Sequence, residues 1–172
     1  MVERTYHWRR FLIVAAVFLL GVIVGGGESS GSTLRASKSS HQPTARVNAV
    51  YMAQENSRVL VNGSGYALYM FVPDHQHRVT CNITCVESWP PFTVAPGTHP
   101  RAGSGVKKSL IGTVSFTPGY RVVSYNRWPL YTYQDDYQPG MVTGQGTNLN
   151  GGYWYLMKPD GMPLVPAGDP SP

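Results

Sequence analysis

Charge is scarce in this chain. Only 13% of its 172 residues are Asp, Glu, Lys or Arg, while Gly (19) and Pro (14) are abundant, a balance that argues against long amphipathic helices and for short strands joined by turns. The net charge is +5. Arg4, Arg9 and Arg10 set against Glu3 place +2 of that ahead of the first apolar run and leave +3 for everything after it. What remains is scattered over Arg46, Arg58, Arg78, Arg101, Lys107 and Lys108 without a basic stripe or a nucleic-acid motif, so no nucleic-acid partner is expected. Catalytic signatures are missing as well. Ser64 and Ser104 sit among glycines with no assignable His and acid partners, and nothing fixes a spacing between Glu87 and Asp135 or Asp136 that would make a glycosidase dyad. Enzymatic activity is therefore not expected. Cysteine is nearly absent, with two residues, Cys81 and Cys85, four positions apart.

One long apolar run is present. Residues 11–24, FLIVAAVFLLGVIV, follow a basic stretch and precede Gly25, Gly26 and Gly27. Residues 1–27 thus read either as a secretory signal cut near Glu28 or as an uncleaved signal-anchor helix at the short limit for a bilayer, making the membrane a partner through residues 11–27. Both readings put the remainder outside the cytoplasm. Residues 28–46, ESSGSTLRASKSSHQPTAR, are rich in Ser and Thr and form a flexible spacer. Residues 47–164 carry the strand and turn signals of a folded domain, and 165–172 form a Pro-rich tail.

Within the folded domain a single pattern occurs twice. LYMFVPD at 68–74 and LYTYQDD at 130–136 superpose at a constant offset of 62. Arg58-Val59 and Arg121-Val122 precede the copies, and Trp89 and Trp154 follow them. Such self-similarity predicts two equivalent units, about 58–95 and 121–161, each too small to bury its own apolar face. The expected fold is all-β, a compact antiparallel sandwich or barrel-like domain. SRVLVNGSGYALYMFV should form two strands around Asn62-Gly63-Ser64-Gly65. LIGTVSF, YRVVSY and WPLYTY should add three more around TPG and Asn126-Arg127, and GGYWYLMK another before PDG. GQGTNLNGG at 144–152 reads as a long hairpin loop. In a strand, alternate side chains share a face, so Tyr69 with Phe71 and Tyr131 with Tyr133 should point one way and Leu68 and Leu130 the other. Asp74 and Asp136, just past the strands, can accept backbone N–H bonds and fix the turns.

The repeated Yx(F/Y)xxD motif, CNITCVESWPPFTV, and YNRWPLYTYQDD followed by GGYWYLMKPDG resemble the bacterial secreted-repeat family of predicted lipoproteins, over about Arg58 to Gly161. The resemblance implies paired repeats in exported, membrane-attached proteins and carries no established molecular function. Two departures stand out. No cysteine stands just after the apolar run, so lipid attachment is not expected, and Arg127 occupies a position in the YN-x-WPLY turn where Gly is common.

Cys81 and Cys85, the two cysteines of the chain and placed outside the cytoplasm, are expected to close a small disulfide ring; the alternatives are a redox dithiol or a copper or zinc site completed by His75 and His77. No cofactor is predicted; copper, zinc and haem are the alternatives. Trp89, Trp128 and Trp154, with Tyr125, Tyr131, Tyr133, Tyr153 and Tyr155, should mostly fill the core, and any ring left exposed could stack on a cell-envelope ligand. The leading expectation is a non-catalytic binding or structural module of the envelope, with a redox, metal or haem-handling protein as the alternative.

Overall fold

The computed structural model describes residues 45–172, so the apolar run and nearly all of the spacer lie outside the described residues. The chain from Ala45 onward is built from short strands: β1 (Arg46–Met52), β2 (Ser57–Asn62), β3 (Tyr69–Phe71), β4 (Thr93–Val94), β5 (Arg101–Ala102), β6 (Ile111–Thr117), β7 (Tyr120–Tyr125), β8 (Trp128–Pro129), β9 (Thr147–Leu149) and β10 (Gly152–Leu156). One six-residue helix, α1 (Ile83–Ser88), interrupts them where the sequence offered only a small cysteine ring. Its start is set by Asn82, whose Oδ1 accepts from the Cys85 N–H at 3.1 Å and the Thr84 hydroxyl at 2.8 Å, satisfying a donor that the first helical turn leaves free.

The all-β expectation holds, but the arrangement is three small sheets rather than one meander, and no barrel closes. β2, β1 and β5 form one sheet; β3, β10 and β9 a second; β4, β7, β6 and β8 a third. The β1–β5 pair is parallel. Hairpins appear where left-handed turn residues allow them: Asn56 between β1 and β2, Gly119 between β6 and β7, Asn126-Arg127 between β7 and β8, and Asn150-Gly151 between β9 and β10. The reversal expected around Asn62-Gly63-Ser64-Gly65 is present, held by Asn62 N donating to Tyr66 O, the Val61–Ala67 bridge and Leu68 N donating to Leu60 O, while β3 beyond it pairs with β10 rather than with β2. One hairpin expectation changes. The segment read as a long loop at 144–152 is half strand, since Asn150-Gly151 alone suffices to turn β9 into β10.

The repeats are interleaved, not merely packed together. β4, the last strand of the first repeat, pairs with β7 of the second, and β10, the last strand of the second, pairs with β3 of the first. Matching rings of three backbone hydrogen bonds mark the exchange. In one, Leu68 N donates to Leu60 O, Leu60 N to Met157 O and Met157 N to Leu68 O. In the other, Leu130 N donates to Val123 O, Val123 N to Phe92 O and Phe92 N to Leu130 O. Each repeat thus obtains a strand from its sister to satisfy its own backbone.

Strand alternation divides the interior as expected. Tyr69, Phe71, Tyr131, Trp89 and Trp154 share one apolar cluster, with Tyr133 packed against it, while Leu68, Met70 and Leu130 belong to the other.

Candidate functional site: a buried tyrosine–aspartate cross

The two copies of the motif meet where Tyr69 and Tyr131 face each other. Each donates its backbone N–H to the other's carbonyl at 2.9 Å, so the pseudo-twofold relating the repeats passes between them. Their hydroxyls then cross to the opposite repeat. Tyr69 donates to Asp136 Oδ2 at 2.6 Å and Tyr131 donates to Asp74 Oδ2 at 2.5 Å. The second oxygen of each carboxylate is held locally, as the sequence predicts for an aspartate just past a strand. Asp74 Oδ1 accepts the Thr80 N–H at 2.6 Å and its hydroxyl at 3.0 Å; Asp136 Oδ1 accepts the Thr143 N–H at 2.8 Å and its hydroxyl at 2.7 Å. The carboxylates therefore close their own loops and anchor the sister repeat at once.

Both aspartates are buried, at 0% and 3% exposure. A carboxylate so placed is tolerable only because charge-assisted donors surround it. Burial still dominates at Asp74 and raises its carboxyl above the usual carboxylate range, against the lowering effect of the donors from Tyr131, Thr80 and Cys81. The two phenols are pushed far above the ordinary tyrosine range. Burial is the main cause for each, reinforced for Tyr69 by its hydrogen bond to Asp136 and for Tyr131 by the charge of Asp74. Both phenols are enclosed, with their hydroxyls committed to the aspartates.

Over the cross lies a stack of four rings that alternates between repeats: Phe71 on Trp154 at 4.2 Å between centroids, Trp154 on Trp89 at 3.9 Å, and Trp89 on Tyr133 at 4.1 Å. The tyrosines of the cross meet the indoles edge-on, Tyr69 against Trp89 at 5.3 Å and Tyr131 against Trp154 at 5.2 Å. Gly144 admits this packing, since a Cβ there would stand 2.5 Å from Trp89 Cη2. Trp128 lies elsewhere, half-buried against the second cluster. Of the other rings in the sequence reading, Tyr125 and Tyr155 are core residues and Tyr133 and Tyr153 are half-buried.

Cys81 and Cys85 form a disulfide with their Cα atoms 5.3 Å apart, and both residues are buried. Sulfurs bonded to each other offer no thiolate to copper or zinc. His75 and His77 are exposed, and no group of three or more metal-ligating side chains occurs among the described residues. Glu87 and Asp135 are exposed whereas Asp136 is consumed in the cross. Thr80, Thr143 and Gly144 complete the site without having been singled out in the sequence. A threonine six or seven residues past each motif aspartate was the available signal.

No helix among the described residues is long and apolar enough to cross a membrane. Comparison with curated proteins and with solved structures gives no match. Residues 112–158, from the second position of β6 to two residues past β10, match the model of a family described as a secreted repeat of unknown function.

Proposed function

We propose that this chain is an exported module of the cell envelope whose paired repeats act as a non-catalytic binding or structural domain. Residues 11–27 direct its export and, if uncleaved, tether it to the membrane through the spacer. The supporting observation is that the motif groups with reactive potential are spent internally. Asp74 and Asp136 have their oxygens occupied by sister-repeat tyrosines and local threonines, and Trp89 and Trp154 stack on each other inside the core. A catalytic carboxylate or nucleophile must reach its substrate, and these are enclosed.

Export is tested by protease treatment of intact spheroplasts. Digestion of the domain without lysis is expected, and full protection until lysis would reject the extracytoplasmic placement. The redox and metal reading is separated by intact-mass measurement after thiol alkylation without reductant, together with absorbance titration by copper, zinc and haem. An unalkylated protein with no new absorbance is the expected result. Stoichiometric alkylation, or a saturable charge-transfer or Soret band, would replace the present reading.

A further inference from the structure

Three of the basic residues that look scattered in the sequence are brought together by the fold. Arg46, Arg101 and Lys108 line a cleft of about 480 Å3 whose other walls are Pro100, Ala102 and Ile111, with no carboxylate among them. Arg46 and Arg101 are direct partners in the parallel β1–β5 ladder. Paired residues of a ladder project to the same face, so two guanidinium groups stand side by side, an arrangement that is unfavourable unless an anion lies between them. The backbone enforces it. Arg101 N donates to Ala45 O at 2.8 Å and Gly103 N to Val47 O at 2.7 Å, and Gly103 lets the strand come this close because a Cβ there would fall 1.8 Å from Asn48 Oδ1. Among the described residues the one ion pair is Lys158–Asp160, so Arg46, Arg101 and Lys108 have no carboxylate partner there. All three are exposed, leaving their charges open to an incoming ligand.

We propose that this cleft is a binding site for a phosphate ester. Two arginines offer planar forks that match the oxygens of a phosphate, and Lys108 adds a point charge. Pro100, Ala102 and Ile111 give the carbon side of the ester an apolar wall. The same chemistry is presented by an anionic lipid headgroup and by a soluble phosphate ester.

The test uses the full chain, 15N-labelled, in uncharged detergent micelles. Glycerol 3-phosphate is titrated into one sample; a second receives phosphatidylglycerol in the micelles, with diacylglycerol as the uncharged control. Saturable shifts of the Arg46, Arg101, Ala102 and Ile111 amides are expected with phosphate and not with diacylglycerol, weakening as salt rises. A response to glycerol 3-phosphate identifies soluble esters as sufficient; a response to phosphatidylglycerol alone identifies a headgroup site. The Arg46→Ala/Arg101→Ala double variant should bind at least about tenfold more weakly, the scale of losing charge-assisted hydrogen bonds. Lys108→Glu should weaken binding without touching the β1–β5 ladder. Silence toward both phosphate sources, or undiminished binding in these variants with native near-ultraviolet dichroism, overturns the proposal.

Discussion

The two repeats are near copies at their shared axis and diverge away from it. At the axis every contact has its counterpart: tyrosine to aspartate, threonine to aspartate, tryptophan on tryptophan. Before the tryptophans the halves differ. Trp154 is preceded by β9, and its Nε1 donates to Leu149 O at 3.1 Å. Five residues before Trp89 stands Thr84, inside α1, where carbonyls run along the helix axis, and the buried Trp89 Nε1 has no protein partner. The position after the motif threonine also differs, Cys81 in one half and Gly144 in the other. A residue on the axis serves both halves, so a change there is felt twice. A residue at the periphery serves one half and can be replaced by a different device.

Truncating the two indoles probes this comparison most strongly. Trp154→Ala should cost about 3–5 kcal/mol, the range for emptying a large aromatic site. Trp89→Ala should cost about 1 kcal/mol less, because it removes an indole N–H that folding already leaves unpaired. Urea unfolding of both variants checks the order, and a reversal would mean that Trp89 Nε1 is satisfied in solution.

The cross comes next. Tyr69→Phe and Tyr131→Phe each remove one donor from a buried carboxylate and should each cost about 1.5–3 kcal/mol. Similar costs would support functional equivalence of the halves, and the double variant measures how far the facing strands couple them. Asp74 adds a pH dependence. Its folded-state pKa is raised, chiefly by burial, so the stability it contributes is fully present below the unfolded carboxylate pKa of about 3.9 and is lost as pH rises through the folded value. The unfolding free energy of the native chain relative to Asp74→Asn should therefore grow as pH falls from 7 to 4, which denaturant titrations at stepped pH would register. A difference that shrinks on acidification would mean that the charged form is the one the fold prefers.

The disulfide is the next smaller effect and belongs to one half only. Cys81→Ala/Cys85→Ala should cost about 2 kcal/mol on the loop-entropy account, given the small ring. Because Gly144 occupies the matching place in the second repeat, which has no cysteine, the loss should fall on the first half. Hydrogen exchange would then rise across Thr80–Ser88 before Thr143–Leu149. Uniform loosening of both segments would show that the bridge supports the whole core.

Much of this was legible because local rules acted unopposed. Alternation along LYMF and LYTY placed the tyrosines on one face and the leucines on the other, and Asn62-Gly63-Ser64-Gly65 and Asn126-Arg127 marked real turns. The aspartates were legible as turn anchors, since their Thr80 and Thr143 donors lie close in sequence. Their other partners are 57 and 67 residues away, and a spacing rule carries no information about which repeat a hydroxyl will cross to. Strand exchange was hidden for the same reason: β4 and β10 carry the right composition to pair with either half, and only the closed rings of backbone bonds select the sister. The cationic cleft was invisible because Arg46 and Arg101 meet only through a parallel ladder across 55 positions.

The smallest expected effect concerns a turn. Asn126 and Arg127 link β7 to β8 with φ values of 47° and 73°, both in the left-handed region that a two-residue hairpin demands. Asn adopts that region readily, while a long side chain such as Arg is strained there by its Cβ. The turn keeps its geometry because its backbone is tied from outside: Asn126 N donates to Leu110 O at 2.8 Å, its Nδ2 to Gly161 O at 3.0 Å, and Arg127 O accepts from His77 N at 2.9 Å. The Arg127 side chain is exposed, so Arg127→Gly removes strain without emptying a packed site and should raise stability by about 1 kcal/mol, less the entropy Gly adds to the unfolded chain. The β1–β2 hairpin reverses through a single left-handed Asn56, making Asn56→Gly the matched comparison in the first half. Thermal denaturation of the two variants should give the larger gain at position 127; a loss there would mean that the arginine side chain holds the turn by a contact stronger than its backbone strain.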